Sequence, residues 1–141
     1  MDDLITWLRI QLDEDERVAR SATAGPWRHN PNKHWRKPGT TWFEEAVFAG
    51  PPGTDATCVA GTGETDDPQS MADAAHIARH DPARVLAEVD AKRRLLQQFE
   101  LRGNSVRATV VPSTGGVWDD LLRMLALPYA GRPGYRAEWR P

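Results

Sequence analysis

One cysteine, Cys58, is the entire thiol complement of this 141-residue chain. An intramolecular disulfide is therefore excluded, and a reducing, cytosolic location is the natural expectation. Long apolar runs are missing too. No window approaches the ~18 apolar residues that a membrane span requires. The opening "MDDLITWLRIQLDEDE" has neither the basic start nor the apolar run of a secretion signal. Positive charge is not in excess: 18 Lys and Arg stand against 20 Asp and Glu, for a formal net charge of -2. A general nucleic-acid or membrane-surface binder is disfavoured by that balance.

What is plentiful is turn chemistry, with 11 glycines and 11 prolines, so a substantial loop fraction is expected. The length predicts one domain, 1–141. A domain of this size buries roughly 68–70% of its unfolded surface and needs neither disulfide nor metal to fold.

Positions 3–22 read as an amphipathic helix. Leu4, Leu8 and Leu12 recur every fourth residue beside Ile5, and Val18 and Ala19 continue the face. Asp2 and Asp3 stand where the positive end of the helix dipole favours carboxylates. The run "DEDE" at 13–16 reads as a solvated face, with Glu16 and Arg20 spaced for an i,i+4 pair, in preference to a metal cluster. Gly25 and Pro26 end the helix. The region 26–63 then reads as β, with short strands in "PWRHN", "TTWFEEAVFAG" and "DATCVAGTG". The turn "GPPGTD" joins the last two, which predicts three antiparallel strands.

A helix over 69–80 follows. Ser70 and Asp73 resemble a capping box, and Asp67-Pro68 is a competing start. Asp81-Pro82 predicts a break, because a residue before proline leaves the α region while proline suits the first position of a helix. Asp81 thus caps a long helix over 82–101 whose apolar face is Val85, Leu86, Val89, Leu96 and Phe99. Glu88 and Lys92 form an i,i+4 pair on its outer side. Gly103-Asn104 is expected to end it, and 103–116 is a linker or a short strand through "VRATVV". A shorter helix stops before Pro128, and Tyr135 and Trp139 anchor the tail of the C-terminal segment 117–141. The fold class is α+β: a small antiparallel sheet packed by the N-terminal helix and the long central helix, plus a short C-terminal helix.

The blocks "ATAGPW", "HIARHDPARVLAEV", "LLRMLALPYA" and "YRAEW", in that order, resemble a family of small uncharacterised actinobacterial proteins of streptomycete type, and the likeness covers nearly the whole chain. The "GPW" turn followed by an Asp-Ala helix is more loosely similar to Ead-like phage and prophage proteins. The resemblance implies a setting of mobile elements and actinobacterial hosts, with no mechanism attached. Relatives of that type look as if they carry a Cys-x-x-Cys and a further cysteine between the long helix and the last one, a spacing suited to a zinc knuckle. Here the same stretch is "GNSVRATVVPSTGGVWDD", without cysteine or histidine, so that knuckle cannot form in this chain.

Candidate chemistry is sparse. His76 and His80 have the i,i+4 spacing of two metal ligands on one helix face. The position after His76 is Ile77, where a zinc protease helix carries its glutamate base, and no third ligand follows. Local hydrogen bonding explains the pair with fewer assumptions. Asp81 beside His80 suggests a dyad, but a nucleophile is missing. Cys58 sits in the apolar context "TCVA", expected to be buried and inert. Ser70 and Ser113 lack a strained Gly-x-Ser-x-Gly turn. "GTGETDD" at 61–67 lacks the Gly-Lys-Ser/Thr of a phosphate loop and reads as the end of a strand. The best ligand-binding hint is the tract 27–37, in which Arg28, Lys33, Trp35, Arg36 and Lys37 put cations beside an aromatic ring, the parts that hold phosphates and stack bases.

The sequence therefore favours a non-enzymatic cytosolic protein acting by protein–protein interaction, through an unidentified partner or a second copy of itself. No cofactor, membrane or nucleic acid is called for. The alternatives are a small-ligand or nucleotide binder using the 27–37 loop and, less favoured, a metal-dependent hydrolase using His76 and His80.

Overall fold

The computed structural model describes residues 1–29, 44–50, 56–108 and 115–141. Among them are helix α1 (Asp2–Ser21), strands β1 (Trp27–His29), β2 (Glu44–Ala49) and β3 (Thr57–Glu64), and helices α2 (Pro68–Ala78), α3 (Pro82–Ala108) and α4 (Gly115–Ala126). Two 3-10 turns, Leu127–Tyr129 and Ala137–Trp139, follow. The three strands form one antiparallel sheet in the order β1-β2-β3, so the class is α+β. No helix among the described residues is long and apolar enough to cross a membrane. The chain divides into two compact units, Met1–Glu16 with Glu88–Pro141, and Arg17–Ala87.

The unit Arg17–Ala87 holds the sheet. Its central strand is buried on both faces, from Glu45 through Ala46, Val47 and Phe48 to Ala49. That explains why this strand lacks the alternating pattern of a half-exposed one. Helix α2 packs across all three strands, a role the sequence reading assigned to the N-terminal and long helices. The start of α2 is set by Asp67, whose Oδ2 accepts from the Ser70 amide and from Ser70 Oγ, both at 2.8 Å. Pro68 follows in the first turn, where a missing N–H costs nothing. Of the two competing starts Asp67-Pro68 prevails, and Asp73 instead accepts from Gln69 Nε2.

Asp81 caps α3 as its position predicts. Its Oδ1 accepts from the Arg84 amide at 3.0 Å, and its carbonyl accepts from the Val85 amide. The other carboxylate oxygen accepts from the Trp27 amide at 3.4 Å, and a side chain at Gly25 would collide with it. One aspartate thus ends a break between helices and braces the "GPW" turn. Trp27 completes that turn by donating its indole N–H to the Thr23 carbonyl.

Several expectations are corrected here. Gly103-Asn104 does not end the long helix, which continues to Ala108, so residues 103–108 are neither linker nor strand. A mid-helix glycine costs only about 1 kcal/mol relative to alanine, and no proline stands between Pro82 and Pro112 to stop the helix. Val18 is exposed while Ala19 is buried, so Ala19, two turns beyond Leu12, continues the buried face of α1 without Val18. Cys58 is exposed, because it lies on an edge strand.

The other unit is all helix and turn. Leu4, Trp7, Leu8 and Leu12 of α1, Val89 and Leu96 of α3, and Leu122 and Ala126 of α4 form its core with Tyr129 and Trp139. Trp7 is central to it. Its indole donates to the Pro133 carbonyl at 3.0 Å, and its ring meets Tyr135 and Trp139 with centroids 5.5 and 5.4 Å away. The chain reaches this position through Gly134 at φ 83°, where a Cβ would approach Trp7 Nε1 to 2.9 Å. The tail is anchored through Tyr135 and Trp139, as its aromatic spacing suggests.

The acidic run of α1 is not merely solvated. Asp13 and Glu16 both pair with Arg93 of α3 at 2.5 Å, and Asp15 pairs with Arg132 at 2.5 Å. Arg9–Glu100 and Arg136–Asp3 extend the set. Two carboxylates hold the Arg93 guanidinium even more firmly protonated than usual, chiefly through the hydrogen bond to Asp13. Pairs as exposed as these stabilise by roughly 0.2–1 kcal/mol each, so they set register more than they add stability. Lys92 donates to the Tyr129 hydroxyl at 2.9 Å. Burial raises the Tyr129 phenol above its ordinary 10.0, against the opposing pull of Lys92.

Two outcomes are expected. Trp7→Ala lowers unfolding free energy by about 3–5 kcal/mol in a urea titration, whereas Trp7→Phe, which keeps a ring and loses one hydrogen bond, costs far less. Hydrogen bonds from Ser70 lower the Asp67 carboxyl below its ordinary 3.8. The stabilisation they confer is complete above that value and is lost as pH falls through the lowered one. Thermal melts between about pH 2 and 6 should therefore show a smaller acid-side loss for Asp67→Asn than for the parent chain.

Candidate functional site

Two features stand apart from ordinary packing: a buried polar centre in the sheet and an uncovered apolar face on α4.

The polar centre is built on Glu45, which has no solvent exposure despite its carboxyl group. Its Oε2 lies 2.7 Å from His29 Nε2, and its Oε1 accepts from the Asp66 amide at 2.9 Å. With the carboxylate ionised, His29 Nε2 is the donor. The sheet register explains the meeting. His29 stands opposite Val47, and Glu45, two residues along, projects from the same face. Asp66 adopts φ 61°, a left-handed conformation that aspartate tolerates better than most residues. That turn aims its N–H at Glu45. Opposite Glu45 lies Gly63 at φ 142°, where a Cβ would strike Ser70 Oγ. The register shift beside it frees Thr62 to point its hydroxyl at the carbonyls of Ser70 and Glu45, at 2.7 and 3.2 Å. Thr65 Oγ1 is buried nearby in sequence and lacks a hydrogen-bond partner.

A histidine oriented by a buried carboxylate is half of a nucleophilic site. The register argues against Cys58 as the other half. Cys58 stands opposite Phe48, as does Arg28 on the far strand, so both lie on the face away from His29. Ser70 Oγ is committed to Asp67. The geometry is that of a structural brace: burying a carboxylate is costly unless it is paired and hydrogen-bonded, and here it is both.

The residues singled out from sequence fall as follows. Arg28 is exposed on β1, while Lys33, Trp35, Arg36 and Lys37 lie outside the described residues, as does Ser113. His76 and His80 are exposed, their rings 4.4 Å apart, and His80 Nδ1 meets the His76 carbonyl at 2.7 Å. Helix α2 has already ended at Ala78, so His80 sits in the turn beyond it. Among the described residues no three His, Cys, Asp or Glu side chains group closely enough to hold a metal ion.

The apolar feature lies on α4, which carries two stripes. Leu122 and Ala126 are buried, and Trp118 meets Phe99 edge-on at 5.5 Å with Arg102 stacked 4.4 Å over its ring. That stripe faces the core. Val117, Leu121 and Met124 occupy the opposite side and are 68%, 44% and 53% exposed. Leu127, 43% exposed, continues the apolar surface into the following turn. The spacing of four and then three residues is that of a coiled-coil seam. Full burial of each such side chain stabilises by about 1.5–3 kcal/mol, so covering this stripe is strongly favoured.

A family model described as "Family of unknown function (DUF6221)" matches residues 1–141. The chain belongs to this family. No curated protein and no solved structure matches it. Membership of DUF6221 carries no residue roles, so the reading of both features rests on their geometry.

The brace makes a distinct demand. His29→Ala leaves the Glu45 carboxylate buried with less compensation and should destabilise by about 3–5 kcal/mol. Replacing both groups with apolar residues, His29→Phe with Glu45→Leu, should cost less than the sum of the two single changes in a double-mutant cycle.

Proposed function

We propose that this protein is non-enzymatic and acts by binding another protein through the outer face of α4. The observation that carries the reading is the stripe of Val117, Leu121 and Met124, exposed on a helix whose other stripe already serves the core. Apolar side chains scattered singly over a surface need no explanation, but several aligned at seam spacing mark an interaction surface. Asp120 is exposed on its flank, giving the face a polar edge. The resemblance of the sequence blocks supports a setting in an actinobacterial host or one of its mobile elements, and the sparse use of cysteine fits the cytosol.

A photo-crosslinking amino acid at position 124, introduced into the full chain in living host cells, tests this reading. Irradiation should yield a discrete covalent adduct that is absent with the same group at Gln98, an exposed residue of α3. Equal yields at the two positions would sink it.

A further inference from the structure

We infer that His76 and His80 form a two-imidazole site for a transition-metal cation of the nickel, copper or zinc class, at the C-terminal end of α2. The site lies within the unit Arg17–Ala87 and does not depend on the α4 reading. Its basis is the tautomer that the fold imposes on His80. A carbonyl oxygen can only accept, so the 2.7 Å contact between His80 Nδ1 and the His76 carbonyl makes Nδ1 the protonated nitrogen. In the neutral ring Nε2 then carries the free lone pair. Metal-binding histidines are ordinarily prepared in this way, with the other nitrogen donating to a carbonyl or carboxylate that fixes tautomer and orientation. The His76 ring is the second half. It lies 4.4 Å from the His80 ring between centroids, tilted by 41°. Both residues are exposed, so the His76 ring turns about its side-chain bonds without disturbing the core. One nitrogen of each ring then reaches the roughly 3 Å separation that metal–nitrogen bonds of about 2.0–2.1 Å require.

Capping accounts for His80 Nδ1 and asks nothing of the His76 side chain. The surroundings of the pair suit a cation. Helix α2 ends at Ala78, and the partial negative charge of a helix C-terminus favours positive charge there. Asp73, three residues before His76, offsets Arg79, three residues after it. Imidazole suits nickel, copper and zinc, whereas magnesium and calcium take oxygen ligands. No third His, Cys, Asp or Glu among the described residues joins the pair, so the remaining positions fall to water or to a donor from another molecule. Two protein ligands make an exchangeable site, short of the four of a structural zinc or the three of a catalytic one.

Nickel titration of the full chain, free of any histidine tag, tests this by calorimetry and by paramagnetic broadening of the histidine ring signals in NMR spectra. About one equivalent should bind, and the His76 and His80 signals should broaden before those of His29 and His34, the other two histidines. His76→Ala is the decisive variant, because it removes an imidazole and leaves the backbone carbonyl that holds His80. It should weaken nickel binding roughly tenfold or more, since the second, intramolecular contact is lost, with the circular dichroism melt unchanged. His80→Ala should weaken binding as much, and His34→Ala should not. No binding up to about 1 mM nickel overturns the inference, as does binding that is indifferent to His76→Ala or that broadens His29 or His34 first. Neither result bears on the reading of α4, which rests on other residues.

Discussion

A carboxylate shut away from water in the central strand governs the arrangement of the sheet. Glu45 is tolerable there because its charge is met, with His29 and the Asp66 amide at its two oxygens. Those partners come from different parts of the chain, so satisfying the charge aligns β1 with β2 and places the turn that precedes α2. The consequences spread outward. Gly63 has no side chain because Ser70 occupies the space, Thr62 ties the bulge to the Ser70 carbonyl, and Ser70 in turn is held by the Asp67 cap. The polar groups of this region form one connected set, which explains a buried acid without assigning it to catalysis.

The helical unit is organised by different means. Trp7 supplies shape, with one hydrogen bond and two aromatic neighbours joining the first helix to the C-terminal turns. Arginines supply register. Arg93 and Arg132 collect the acids of α1, and because each pair is partly exposed its worth lies in specifying alignment. Helix α4 completes the core with one stripe and leaves the other outward. An element that satisfies its own unit and still presents a seam is the strongest functional signal in this member of the DUF6221 family.

Much of the secondary structure was legible because its causes are local. Leu4, Leu8 and Leu12 mark a helix face by spacing alone. Asp81-Pro82 marks a cap because proline restricts its neighbour, and the structure adds only that the same carboxylate reaches Trp27. Where sequence signals misled, a local cost was outweighed. Gly103 weakens a helix without stopping it, and the apolar neighbours of Cys58 do not reveal that its strand is an edge. The Glu45 centre was passed over since "TTWFEEAVFAG" gives no sign that a histidine 16 residues earlier pairs with the second acid. The Val117–Leu121–Met124 spacing was visible all along as part of an apolar helix.

Hydrophobic period and capping chemistry, which act within a few residues, were enough to read the helices and the three strands, the cap at Asp81 and the helical faces built on leucine, while the choice between Asp67 and Ser70 as the start of α2 waited on the fold. The tertiary structure alone decided that Glu45 is buried and paired, that the acids of α1 meet Arg93 and Arg132, and which stripe of α4 turns inward. Those outcomes depend on residues far apart in the chain, and burial is a property of what arrives to cover a side chain.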